Sequence, residues 1–251
     1  MENRDKIIDF INGYLDSGKI KDASQNGLQI EGGAEVKKIA FGVSASLELF
    51  ERAAASGADM IIVHHGLLWG SSVPIKGPFR EKLKTLLDNG ITLAAWHLPL
   101  DKHRTAGNNA RILKFLGAGS RRPFGICAGE TIGFKGSFGR PKTLAEVIKV
   151  LQNELHADVL AFGFGPKKIR TLGVISGGGQ KMFNQAIEAG LDLFITGEVS
   201  EFVQEKAREN RANFISAGHY NTEKPGVQAL AELVRAKFKV ETEFIDIPNP
   251  V

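Results

Sequence analysis

Ser56-Gly57-Ala58-Asp59-Met60-Ile61-Ile62-Val63, followed by His64-His65-Gly66, decides how this chain is read. Met60 to Val63 is a short apolar run behind a glycine turn, the signature of a buried strand. Ala189-Gly190-Leu191-Asp192-Leu193-Phe194-Ile195-Thr196 repeats the pattern at a constant offset of 133 residues, Asp59 falling on Asp192. Around both copies, short apolar runs alternate with amphipathic stretches. In the first half, helices are expected near residues 4–15, 47–55, 79–87 and 108–115, and strands near 38–43, 59–63 and 91–95. In the second, strands near 169–175, 191–196, 213–217 and 240–247 alternate with helices near 181–189, 202–210 and 226–238. This order predicts an α/β protein with largely parallel strands.

Repeat and order together predict two similar α/β domains arising from internal duplication, with sheets and helices in layers. The domains are expected at residues 1–123 and 124–251, divided near Pro123. A discontinuous arrangement, with the C-terminal tail returning to the first domain, is the alternative. Between the halves, the glycine-rich residues 125–140 suit strands. Thr143 with Glu146 three residues on forms a capping box for a helix ending near Leu155.

Four of the six histidines fall in three clusters: His64-His65, His97 in HLPLD ending at Asp101, and His219 in HYNTE ending at Glu223. The last two pairs match at an offset of 122, so His97 and Asp101 correspond to His219 and Glu223. The counterpart of His64-His65 is Gly197-Glu198, and residues 69–78 are extra in the first half. Imidazole with carboxylate suits zinc, iron, manganese or nickel better than calcium. The candidate metal ligands are therefore His64, His65, Asp101, His219 and Glu223, enough for two divalent ions. Each cluster is expected at or past the C-terminal end of a strand, the edge where open α/β sheets bind ligands. The metal site is thus expected in an interdomain cleft. On a strand, adjacent His64 and His65 would face opposite ways, so a turn at Gly66 is expected to turn both toward the cleft. Pro99 is expected to make a rigid turn, and a helix starting near Glu223 would put that carboxylate at its N-terminus. His97 is a candidate catalytic residue, with an orienting, proton-shuttling or ligand role equally open.

Other signals are weaker. Gly177-Gly178-Gly179 before a helix could cradle a phosphate, though tight turning explains it as well. Cys127, the one cysteine, reads as a buried filler; a lone cysteine excludes an internal disulfide framework and fits a cytoplasmic protein. No apolar run reaches membrane-spanning length and the N-terminus reads as an amphipathic helix, not a signal peptide. The net charge of +4 is mildly basic, and Arg121-Arg122 and Lys167-Lys168-Arg170 read as solvated surface more readily than as a nucleic-acid patch. No nucleophile-elbow motif supports serine hydrolase chemistry.

The chain resembles the YbgI-type, Nif-three-like family of dinuclear-metal-centre proteins, GTP cyclohydrolase 1 type 2 homologues. The matching features are Asn26-Gly27-Leu28-Gln29, HHGLLWG from His64, HLPLD ending at Asp101, SGGG from Ser176, TGEVSE from Thr196 and GHYNTE ending at Glu223. The resemblance implies a two-domain α/β chain and a toroidal homohexamer, a trimer of dimers, with dinuclear sites facing its cavity. It also implies the five ligands named above. The family pattern HTNLD reads HLPLD here, with Leu98 and Pro99 replacing polar residues. The resulting expectation is a cytoplasmic, metal-dependent, hydrolase-like protein acting through activated water on a nucleotide or related phosphorylated small molecule. The alternative is a ring-shaped metal-binding regulatory or nucleic-acid-binding protein without fast turnover.

Overall fold

A computed structural model describes residues 1–251. In chain order the elements are β1 (Glu2–Asn3), α1 (Arg4–Leu15), β2 (Gly27–Ile30), β3 (Glu35–Val36), β4 (Lys38–Ser44), α2 (Leu47–Ala55), β5 (Met60–His65), α3 (Gly77–Asp88) and β6 (Thr92–Ala95). There follow α4 (Leu98–Lys102), α5 (Asn108–Phe115), β7 (Gly119–Cys127), β8 (Glu130–Lys142), α6 (Leu144–Leu155), β9 (Leu160–Gly163) and β10 (Ile169–Ile175). The chain ends with α7 (Phe183–Glu188), β11 (Leu193–Thr196), α8 (Phe202–Glu209), β12 (Asn213–Ser216), α9 (His219–Phe238) and β13 (Glu241–Phe244). The α/β class holds. No helix is long and apolar enough to cross a membrane.

Two compact units result, one of Met1–Leu100 with Val227–Ile247, the other of Asp101–Gly226 with Pro248–Val251. The division thus falls after Leu100, not near Pro123, and residues 101–123 join the second unit. The reason lies in packing. Ala110, Ile112 and Leu113 of α5 share one core with Val147 and Leu151 of α6 and with Leu172, Leu193 and Ile215 of the second sheet. The C-terminal tail supplies the first unit, where β13 pairs with β4 in parallel.

In the first unit a five-stranded sheet has the order β13-β4-β5-β6-β2. Its parity sorts two cores. Ile39, Phe41, Met60, Ile62 and Ala94 pack with Ile7 and Ile11 of α1 and Leu230 and Val234 of α9. Their neighbours Ala40, Ile61, Val63 and Leu93 pack on the other face with Leu49 and Phe50 of α2 and Leu86 of α3. A strand covered on both faces must be apolar throughout, which explains the uninterrupted run Met60–Val63.

In the second unit the order is β7-β8-β10-β11-β12-β9. One face carries the core already named; on the other, Phe194 and Phe214 are register partners packed with Phe183 of α7. Strands β7 and β8 form a hairpin turned by Ala128 and Gly129, both at positive φ. Cys127 ends β7 beside this turn and is exposed, so it is not the buried filler expected.

The parallel cores match strand for strand. Ile39 pairs with Met60, and Leu172 with Leu193; adding 133 to the first pair gives the second. Each core carries an antiparallel strand beside its third member, β2 on β6 and β9 on β12, neither anticipated from sequence. One carboxylate device recurs as well. Asp59 Oδ2 accepts from the backbone N–H groups of Lys37 (2.7 Å) and Lys38 (3.0 Å). Asp192 Oδ2 accepts from those of Arg170 (2.8 Å) and Thr171 (2.9 Å), again 133 residues on.

Asp59→Ala and Asp192→Ala each orphan two backbone donors at a strand start. Each variant is expected to lose about 1–3 kcal/mol of stability in urea unfolding. Unchanged midpoints in both would show these carboxylates to be dispensable.

Candidate metal centre

Strand β5 outlasts its neighbour: the ladder with β6 ends at Val63–Ala95, while Ser44 of β4 still pairs with His65. Both histidines thus belong to the strand, which does not end at His64 as expected, and no turn at Gly66 is needed to unite them. Their ring centroids lie 4.6 Å apart at the sheet's end. His64 is fully buried, with Nδ1 3.0 Å from the carbonyl oxygen of Trp96. A carbonyl can only accept, so this nitrogen carries the proton and Nε2 keeps its lone pair. His65 Nδ1 lies 3.1 Å from Ser44 Oγ.

His97 joins them, its ring 5.1 Å from that of His64 and 5.5 Å from that of His65. The three residues offer ring nitrogens within 4.8 Å of one another, a group that could hold a metal ion. Asp22 fixes His97: Oδ1 accepts from Nδ1 at 2.9 Å, and Oδ2 accepts from Leu98 N at 2.9 Å and Asn26 Nδ2 at 3.0 Å. Burial pushes the Asp22 carboxyl up, but the hydrogen bonds from His97 and Asn26 outweigh it and hold it well below the usual range.

In the second unit His219 and Glu223 share one face of α9, four residues apart, with Nε2 3.2 Å from Oε2. The helix starts at His219 and runs through Pro225, so Glu223 lies one turn inside and not at the N-terminus as expected. Glu198 Oε1 accepts from His219 Nδ1 at 2.6 Å, which directs Nε2 toward Glu223. Burial lowers the His219 pKa; the hydrogen bonds and charges of Glu223 and then Glu198 prevail and raise it to about 9.

Asp101 lies just past the end of β6, as expected, but on α4 rather than behind a rigid turn: Pro99 occupies the first turn of this short helix, where its missing N–H costs nothing. Asp101 Oδ1 accepts from Asn108 Nδ2 (2.9 Å) and Ser176 Oγ (3.0 Å). Asn108 Oδ1 in turn accepts from the backbone N–H of Gly226, 2.7 Å away, tying α4 and α5 to α9.

The residues fit a divalent cation. Of the four clustered histidines, three have Nδ1 against a carbonyl or carboxylate and the fourth against a hydroxyl, the outer support that metal-binding imidazoles use. Space is also kept clear: a Cβ on Gly177, at φ +62°, would lie 2.2 Å from Glu223 Oε1 and 3.1 Å from His219 Nε2. The same loop is no phosphate cradle. Gly177 N–H donates to Thr222 Oγ1 and Gly179 N–H to Thr196 Oγ1, so two of its three glycine N–H groups are already engaged inside the fold.

Asp22, Asn108 and Glu198 were not picked out as site residues from sequence, and Gly177 was singled out for a phosphate rather than for a cation. Glu198 had a signal, the 133-residue offset that sets it over His65. Asp22 had none, since its contact with His97 spans 75 residues.

Fold and donor chemistry define an α/β protein with histidine–carboxylate clusters able to hold metal. The chain belongs to the Duf34/NIF3 (NGG1p interacting factor 3) family, which it matches over residues 2–250. It is 44% identical over 247 residues to a Pyrococcus abyssi protein named "GTP cyclohydrolase 1 type 2 homolog", covering 98% of each chain. An Escherichia coli (strain K12) protein of the same name is 41% identical over 242 residues, covering 96% of each. Among solved structures, protein ybgI, described as of unknown function, superposes with a TM-score of 0.93 at 40% identity over all of both chains. A Thermus thermophilus protein gives 0.92 at 33% identity, also over all of both.

Two outcomes are expected. Gly177→Ala drives a methyl group toward Glu223 and should lower the zinc content of the reconstituted protein in elemental analysis; full loading would refute the cradle. In the metal-free protein, the raised His219 pKa contributes stability fully below its unfolded value near 6.5. That contribution is lost as pH rises through about 9. The metal-free melting temperature should therefore fall more steeply between pH 7 and 9 than that of His219→Ala.

Proposed function

We propose that His64, His65, Asp101, His219 and Glu223 together hold two divalent ions, zinc, iron, manganese or nickel. On this reading the protein is a metal-dependent, hydrolase-like enzyme acting on a nucleotide or related phosphorylated small molecule. The observation that carries it is the outer support at Nδ1 shared by the three ligand imidazoles, His64, His65 and His219, the arrangement that metal-binding histidines use. Bound divalent ions would supply a lowered water pKa and a Lewis acid for the electrophile. The relatives' names support a nucleotide as the substrate class.

His97 is assigned the proton. Asp22 holds its Nδ1–H, keeps the ring oriented and stabilises the imidazolium formed when Nε2 accepts a proton. Asn26 secures the same loop by accepting from the backbone N–H of His97 at 2.8 Å. Glu198 does for His219 what Asp22 does for His97. Glu223 is the carboxylate assigned to bridge.

We take the matching registers and the paired Asp59 and Asp192 contacts as support for internal duplication. The assembly is taken as a cytoplasmic homohexamer, on the resemblance. A net charge of +4 favours an anionic partner and supports the second reading, a ring that binds nucleic acid and metal without fast turnover.

A screen of metal-reconstituted protein against nucleotides and phosphoesters, with His64→Ala as control, tests the first reading. Turnover that depends on both metal and His64 is expected; salt-sensitive nucleic-acid binding without turnover would favour the second. Glu223→Ala should lose more metal than His97→Ala, because its removal leaves two cations without a shared negative charge. His97→Ala should keep its ions and lose turnover. Elemental analysis of both variants decides, and the opposite pattern would reverse the two roles.

A further inference from the structure

The two units match in the register of their parallel strands and at their aspartates, but differ in the loop behind the strand that carries His64 and His65. Between β11 and α8 the chain needs residues 197–201; between β5 and α3, directly behind His64-His65, it takes residues 66–76. Extra loop at the ligand end of an α/β strand is where binding surfaces are built. Here it encloses a cavity of about 620 Å³ in the first unit, within the usual range for small-molecule pockets. Ile30, Leu67, Trp69, Val73, Ile75 and Phe79 line it, and no charged side chain does.

Trp69 connects this cavity to the histidines. Its ring centroid lies 4.9 Å from that of His97, at 71°, and 6.1 Å from that of His65. The indole is anchored by its Nε1–H, which donates to Gly66 O at 2.7 Å, and by a bridge between Trp69 and Ser24. The same side chain is therefore a wall of the pocket and a neighbour of two candidate metal-site residues. An apolar cavity with a fixed indole wall suits a flat ring that can lie against it. Without a lining cation it does not suit a phosphate.

We propose that this cavity binds the uncharged heteroaromatic ring of the substrate, a nucleobase or similar planar group, against Trp69, placing that ring beside His97 and His65. The proposal rests on the metal-centre reading for what happens next to the ring, but not for the binding itself. The charged part of the substrate lies outside this cavity. The long loop then sets specificity: it selects for a planar ring, while the metal end is common chemistry.

Isothermal titration of the full-length, metal-loaded protein with guanosine, adenosine and cytidine tests this, with ribose 5-phosphate and inorganic phosphate as controls. Nucleosides should bind, and neither control should compete. Ile75→Glu places a charge in the wall at an exposed position, so the fold is kept; it should weaken nucleoside binding at least tenfold with metal content unchanged. Trp69→Leu should weaken it similarly. Equal affinity in wild type and Ile75→Glu overturns the proposal, as does absence of nucleoside binding by fully metal-loaded protein. A change on Ile75→Glu confined to the mass of the assembly in light scattering also overturns it, giving the face to a second copy. Nucleoside binding sensitive to Ile75→Glu in protein that takes up no metal would instead leave the pocket standing and sink the metal-centre reading.

Discussion

An imidazole presents a well-aimed nitrogen only when its other nitrogen is occupied, and the candidate site is built around that requirement. His64 is held by a backbone carbonyl, His65 by a hydroxyl, and His97 and His219 by carboxylates. Each support comes from a different part of the chain, so the rings are aimed only after sheets and loops have formed. Asp22 shows how much the loop before β2 depends on this. One side chain accepts from an imidazole, a backbone N–H and an amide of that loop. A carboxylate so engaged stays ionised despite its burial, and its charge is then available to a protonated ring.

The strands were legible because a strand buried on both faces has no choice but continuous apolar residues, as at Met60–Val63 and Leu193–Ile195. Helices with strong caps were equally plain, Thr143–Glu146 above all, where both halves of the capping box form. The antiparallel edge strands β2 and β9 were not read. Each is only four residues long with a glycine at one end, so neither forms a run long enough to stand out. Helix α9 began earlier than expected because Pro225 reads as a stop; near the start of a helix a proline is far less disruptive than in its middle. Metal-type residues stood out by chemistry and spacing. Their supports did not, since an aspartate that holds a ring from 75 residues away looks like any surface acid until the chain is folded.

Positions 65 and 198 show what the shared scaffold keeps and what it releases. Asp59 and Asp192 keep identical tasks, because both must satisfy the first N–H groups of a strand. At the C-terminal ends of the matching strands no such backbone requirement applies. There His65 offers a ring nitrogen, while Glu198 steadies the ring of His219. Side chains at strand ends are limited by what they touch next, so strands of matching register can end in side chains with different roles.

The order of residues in the two cores has a consequence for synthesis. The principal core of the second unit is assembled from residues between Ala110 and Ala217. The first unit is different: Val227, Leu230, Val234 and Val240 belong to its core, and β13 supplies an edge of its sheet. On a ribosome the chain emerges from its N-terminus and domains fold as units. The part begun first is therefore finished last. Residues 1–100 leave the exit tunnel with one face of their sheet covered by α1 but not yet by α9, while the inserted unit is completed after them. The interval in which Ile39, Phe41 and Met60 lack α9 is the time of greatest exposure to chaperones and to self-association.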